Sequence, residues 1–346
     1  MPTLLRHLEN PHKILIIRLS SIGDIILTTA LIRSVRTKYP EAQIDFLVKK
    51  QFLDIVVHNP NLSNILVFEK GEKLSALKSR IKHQGYDWII DIHQNLRSLY
   101  IKLGISVPLI TGYSKRLFRR TLWVKFGINI YKDTKPVLLR YFEATEKQGI
   151  SYDNQGTEVF ISEEKVQWMK QVLTLAGYTA DKKLFVLAPG ASFSNKRWSK
   201  EGFAKVAEHL TKSHNAWVAM IGGGGDIELC ETIMKLAQSE IHSFAGKFSL
   251  VESAALLSLC SGFVGNDSGM LHLAQAFKKP VVGIYGPTVI ELGYFPIEEN
   301  SIVIEKPIPC RPCTHNGLNH CPKKHFLCMQ SICSEDVISG IDTLMG

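Results

Sequence analysis

The stretch KILIIRLSSIGDIILTTALIRSVRTKYP, residues 13–40, opens with a β-branched run and turns through Ser20, Ser21 and Gly23. It then continues at helical spacing, with Ile25, Leu27, Ala30, Leu31 and Val35 on or near one face. The helix should stop at Tyr39, because Pro40 cannot continue it. A strand that passes through a short turn into a helix is the βα unit of a parallel sheet. Outward from this unit the alternation repeats, and the pattern predicts further strands over 43–48, 64–69, 87–92 and 108–113. Residues 151–162 break the rhythm with Asp153, Asn154, Gln155 and Gly156, after which strands are predicted over 184–189, 216–222, 242–246, 262–266 and 281–286. Helices near 199–213, 226–239, 250–260 and 268–278 separate them. The expected fold is α/β, with two Rossmann-like parallel-sheet domains facing a cleft. The first spans 1–160 and the second 161–330, and a helix over 331–346 packs back toward the first domain.

The composition fits that architecture. Of 346 residues, 45% are hydrophobic and 21% charged, an ordinary globular balance that excludes disordered and collagen-like chains. The apolar runs are strand-length, far short of the roughly 18 to 20 residues of a membrane span. Arg6, His7 and Glu9 occupy the place where a secretory signal would have its apolar core, so a cytoplasmic protein is expected. No short-period repeat is present. The net charge is +9, and residues 1–165 hold 25 basic and 16 acidic side chains, so that half carries the whole excess. Such a field favours an acidic partner there: nucleic acid, an anionic membrane surface or a phosphorylated substrate.

Ligands of doubly wound sheets collect at the loops that follow strands. The first such loop, Arg18 to Asp24, lacks the GxGxxG fingerprint of a dinucleotide site. Asp24 reads there either as a first-turn carboxylate supporting the helix or as a general base, with Ser21 and Gly23 beside it. The second loop, Pro189 to Ser199, offers Ser192, Lys196 and Arg197, which suit phosphate oxygens, while Ser199 can cap the next helix. Gly222 to Gly225 followed by Asp226 lets a ligand approach bare backbone at Gly224, with a carboxylate just beyond for a ribose diol or a cap. The fourth loop, Val264 to Ala274, is the sharpest. Asp267, Ser268, Gly269 and Met270 open a helix whose free amides suit a diphosphate, and His272 lies on its first turn.

Two further segments stand apart. Tyr113 to Phe126 interleaves Lys115, Arg116, Arg119, Arg120 and Lys125 with Leu, Phe and Trp, which suits an anionic membrane surface or phosphorylated glycolipid, or simply a solvated basic helix. No RNA-recognition signature accompanies it, so nucleic acid is not the expected partner. Cys310, Cys313, Cys321 and Cys328 could hold structural Zn²⁺ or iron, and read equally as reduced thiols.

Taken together, KILIIRLSSIGDIILTTALIRSVR, APGASFSNKRW and VGNDSGMLHLAQAFKKPVVGIYGPT closely resemble the ADP-heptose:lipopolysaccharide heptosyltransferases, glycosyltransferase family nine, over most of the chain. The resemblance implies a GT-B architecture, with an N-terminal acceptor domain, a C-terminal nucleotide-sugar domain and inversion at the anomeric carbon without a catalytic metal. It implies Asp24 as general base and Lys196 as the phosphate-binding cation. It matches the donor loop to Asp267, Ser268, Gly269 and His272, the hydroxylated position to Ser192, and the ribose carboxylate to Asp226, one methylene shorter than the family's usual Glu. The implied partners are ADP-heptose, an acidic inner-core glycolipid (Kdo-lipid A or heptosyl-Kdo-lipid A) and the inner face of the inner membrane, where the protein would sit peripherally. A GT-B sugar-nucleotide epimerase, or a non-catalytic nucleotide- or RNA-binding module, is the alternative.

Overall fold

A computed structural model of the chain describes residues 8–346. They divide into two compact units, one of residues up to Leu117 with Lys135–Phe160, the other of Phe118–Thr134 with Ile161–Gly346. The first domain is therefore not continuous over 1–160: residues 118–134 make their contacts in the second unit.

The first unit contains β1 (Lys13–Ile17), α1 (Ile22–Lys38), β2 (Gln43–Lys49), β3 (Asn64–Phe68), α2 (Leu74–His83), β4 (Trp88–Asp91), α3 (Leu96–Lys102) and β5 (Leu109–Gly112). The helix α4 (Leu117–Phe126) begins at its border, and α5 (Val137–Tyr141) returns to it. The strands are all parallel in the order β3-β2-β1-β4-β5. β1 lies at the centre, and its Ile14, Leu15, Ile16 and Ile17 are fully buried. Truncating one of them to Ala would cost about 2 to 5 kcal/mol. Helix α1 departs from the one-sided burial expected of it: Gly23 through Ile32 are all buried. α5 and the turn over Lys50–Ile55 pack against it.

The second unit contains α6 (Glu163–Leu175), β6 (Lys183–Ala188), α7 (Lys200–Ser213), β7 (Ala216–Met220), α8 (Ile227–Leu236), β8 (His242–Ser243), α9 (Leu250–Leu259), β9 (Gly262–Asn266), α10 (Gly269–Ala276), β10 (Val281–Tyr285), β11 (Ser301–Glu305), α11 (Leu327–Gln330) and α12 (Ser334–Met345). Its six strands are parallel in the order β11-β10-β9-β6-β7-β8. Ten strands lie where the alternation predicts them. β11 is additional, a half-buried edge strand beside β10. The last helix, α12, packs on α7, β10 and β11, and its Val337 and Ile341 join the second unit's core. That apolar face is taken up within its own unit.

Candidate active site

In each sheet the strand order reverses at one point, between β1 and β4 in the first and between β6 and β9 in the second. At such a point the loops diverge and leave a crevice outside the carboxyl ends of the strands.

At the first crevice, the Asp24 carboxylate is buried. Asp24 Oδ2 lies 2.5 Å from Arg18 Nη2 and accepts from Ser21 Oγ at 2.9 Å and from the Ser21 amide at 3.3 Å. Asp24 Oδ1 accepts from the Tyr141 hydroxyl at 2.8 Å. The capping role is therefore real: Ser21 and Asp24 form a capping box at the start of α1. Burial works against the charged form, but Arg18 and the two hydroxyls outweigh it and bring the Asp24 pKa down to about 2. Arg18 also donates across the crevice to the Ile92 carbonyl at 2.6 Å, which ties the β1 loop to the β4 loop.

The β4 loop contributes His93, which no motif in the sequence singled out. Asp91, fully buried and paired with Lys102 at 2.5 Å, accepts the His93 and Gln94 amides at 2.9 Å and so shapes the turn. Asn95 caps α3: its Oδ1 accepts the amides of Arg97 and Ser98. That role fixes its Nδ2 as the donor to His93 Nε2 at 2.7 Å, so the imidazole proton is assigned to Nδ1. His93 is 6% exposed and its Nδ1 has no hydrogen-bond partner among the described residues. Burial, then Arg18 and Lys115, push its pKa down to about 4 against the opposing pull of Asp91 and Asp24. A neutral imidazole with an open N–H beside a carboxylate can orient a substrate oxygen.

At the second crevice, Lys196 Nζ lies 2.6 Å from Asp267 Oδ2, joining the loops after β6 and β9. The Thr288 hydroxyl donates to the same Asp267 oxygen at 2.9 Å. Fully buried Asn266 holds the two loops in register, donating to the Pro189 carbonyl at 2.7 Å and accepting from the Trp198 amide at 3.0 Å. Ser268 stands at the N-cap of α10 without a side-chain cap bond, and its buried hydroxyl has no partner among the described residues. Gly269 and Met270 follow with their amides on the first turn. His272 is buried on that turn, 3.3 Å from Gln275 Oε1 through Nδ1. Ser192 is exposed at the loop tip.

Asp226 turns back into the protein. Its Oδ2 accepts the Gly223 amide at 3.0 Å, and its Oδ1 is 3.3 Å from Arg197 Nη2. Gly190 and Gly222 make room for it: a Cβ on Gly190 would fall 2.4 Å from the carboxylate. Gly224, in contrast, faces open space. The cysteine loop is also closer to the Lys196 loop than its place in the sequence implies. Asn195 and Leu318 exchange two hydrogen bonds, at 3.1 and 2.8 Å, and a Cβ on Gly317 would strike Phe193.

The basic segment is divided. Lys115 acts electrostatically on His93 in the first unit, where Arg116, largely buried, lies 3.6 Å from Glu143. Arg119 and Arg120 belong to the second unit on α4, a helix with no buried residue. There burial, Arg120 and Lys196 depress the His315 pKa. Cys313 is pushed up to about 11 by burial and by the neighbouring Cys328, Cys310 and Cys321 thiols. Zn²⁺ or iron would suit those soft donors. Even so, among the described residues the group with three metal-competent donor atoms within 4.8 Å of one another is His209, His214 and Asp342, not the cysteines.

A sequence model described as glycosyltransferase family 9 (heptosyltransferase) matches residues 74–323. The lipopolysaccharide core heptosyltransferase OpsX of Haemophilus influenzae is 26% identical over 282 residues, covering 80% of each chain. The lipooligosaccharide heptosyltransferase 2 of Campylobacter jejuni serotype O:6 is 32% identical over 259 residues, covering 72% of this chain and 78% of that one. A family 9 glycosyl transferase structure from Veillonella parvula superposes with a TM-score of 0.80 at 25% identity, covering 97% of this chain and 98% of that one.

Proposed function

Because the chain belongs to glycosyltransferase family 9, the heptosyltransferases, we propose that this GT-B glycosyltransferase moves heptose from ADP-heptose to an acidic inner-core lipopolysaccharide acceptor with inversion at C1. The observation that carries the reading is the content of the two switch points: a buried, ionised carboxylate and an imidazole whose buried Nδ1 has no partner among the described residues in one, and in the other a lysine paired with Asp267 at the start of α10, where the buried Ser268 hydroxyl has no partner among the described residues.

Asp24 takes the proton of the attacking acceptor hydroxyl. The new bond forms at heptose C1 as the C1–O bond to diphosphate breaks, and ADP leaves with the electron pair. A carboxylate held near pKa 2 is a weak base, but it suffices where the glycosyl centre is oxocarbenium-like, because the acceptor proton becomes strongly acidic only as its oxygen bonds to carbon. The His93 Nδ1–H holds an acceptor oxygen beside Asp24. The diphosphate takes the amides of Ser268 to Met270, the Ser268 hydroxyl and Lys196. Asp267 orients that lysine rather than meeting the anion, since two negative charges in contact would repel. Ser192 stands at the mouth of this loop, and Asp226 supports it through Arg197 and Gly223.

Lys115, Arg119 and Arg120 draw the acidic glycolipid and the anionic membrane surface. The described residues include no helix long and apolar enough to cross a membrane. On α3, however, Leu96 and Leu99 are 84% and 56% exposed at positions three apart that share one side, and Leu103, which ends the helix, is 65% exposed, which suits shallow contact with lipid. Sugar transfer takes place through side chains and helix amides, and no step passes through the cysteines, whose loop meets the Lys196 loop through Gly317 and Leu318. Incubation with ADP-heptose and defined truncated acceptors, followed by mass measurement, tests the reading. One added heptose supports it, and donor turnover without an acceptor would indicate the epimerase alternative.

A further inference from the structure

The C-terminal half of α7, the residue that follows it and the end of α12 bring together three donor atoms with no part in sugar transfer. His209 Nε2 and His214 Nε2 each lie 2.7 Å from Asp342 Oδ1, and all three atoms fall within 4.8 Å of one another. The side chains are 21%, 16% and 48% exposed, so the imidazoles are held while the carboxylate keeps room to move. Packing fixes the frame: the rings meet edge to face at 5.2 Å between centroids, and Ile341, next to Asp342, is buried in the unit's core. Ser213 Oγ lies 3.4 Å from His209 Nδ1, the outer-shell contact that orients a ligating imidazole.

We propose that His209, His214 and Asp342 form a binding site for one divalent ion of the zinc class, which clamps the last helix to α7. Two imidazoles and one carboxylate suit Zn²⁺, Ni²⁺ or Cu²⁺ and discriminate against Mg²⁺ and Ca²⁺, which take oxygen donors. Zn²⁺ bonds imidazole nitrogen and carboxylate oxygen at about 2.0 to 2.2 Å. Donor atoms 2.7 Å apart must then open by roughly half an ångström, and half-exposed Asp342 can supply that movement. Solvent fills the fourth position. Because α7 starts just after the Lys196 loop, the clamp stiffens the platform on which that loop rests.

The test uses the full chain, stripped with chelator and kept reduced, titrated with Zn²⁺ by calorimetry and with Co²⁺ by absorbance. The expected result is one equivalent bound by nitrogen and oxygen donors, without a sulfur-to-cobalt band, together with a rise in Tm. Cys310→Ser with Cys313→Ser should retain it. His209→Ala with His214→Ala should weaken it by more than about 10-fold, the least that a lost outer-shell partner costs. Asp342→Asn, which preserves shape, should weaken it in the same direction and serves if the double variant does not fold. Binding unchanged in the histidine and Asp342 variants, binding only with a thiolate band, or no stoichiometric binding would each overturn the proposal.

Discussion

Asp24 holds the start of α1 at the first crevice, and its neighbours decide its charge. Its pKa, lowered to about 2, leaves it ionised throughout the working range, and the stability this gives is lost progressively as pH falls from the ordinary carboxylate value toward about 2. His93 has the opposite chemistry. Its pKa is lowered to about 4 by burial first, so the unfolded chain takes up a proton before the folded one does, and stability falls as pH drops from about 6.5 to about 4. The loss approaches about 3 kcal/mol for this group alone. His93→Gln should flatten denaturant-midpoint curves across that window, and unchanged slopes would remove the buried neutral imidazole from the account. Lys196→Ala should weaken ADP binding and slow transfer together, because its charge meets phosphate in both ground and transition states. Calorimetry showing parental donor affinity would take Lys196 out of the donor site.

At the scale of elements, the loop of 192–199 is held from two sides, by Asn266 beneath and by the cysteine-rich excursion through Asn195 and Leu318. Asn195→Ala removes the acceptor for the Leu318 amide. It should raise the donor KM several-fold while costing about 1 to 3 kcal/mol of stability, the range for stranding a buried partner. An unchanged donor KM would separate the cysteine loop from the site. Much of this was legible in the sequence. The β-branched runs announced ten strands, and Asp24, Lys196 and Asp267 belong to the strand-to-helix connections, where the physics of parallel sheets puts ligands. β11 escaped notice because it is a half-buried edge behind Glu298, Glu299 and Asn300. The environment of His93 depends on β4 lying beside β1, a pairing of residues more than 70 apart that no local pattern displays. Arg18 and Tyr141 are joined to Asp24 by the same long-range packing, and burial of α1 on all sides likewise reflects α5 returning late in the chain.

For the whole molecule, charge is shared less one-sidedly than a split at residue 165 implies. The unit holding the Asp24 site has 20 basic and 13 acidic residues, and the other, which includes 118–134, has 21 and 19. Neutralising Lys115, Arg119 and Arg120 to Gln should weaken binding to anionic vesicles by roughly 10²-fold at low salt, from about 1 kcal/mol per cation. The difference should shrink as salt rises. Parental binding at low salt would make the segment an ordinary solvated face. The proposed heptosyl transfer turns on Asp24 as its base. The most direct measurement is turnover of ADP-heptose and a truncated lipopolysaccharide acceptor by Asp24→Asn, alongside calorimetry of ADP. The predicted result is transfer slower by roughly 10² to 10⁴ with ADP affinity unchanged; transfer near the parental rate would contradict it and leave Asp24 as a helix cap alone.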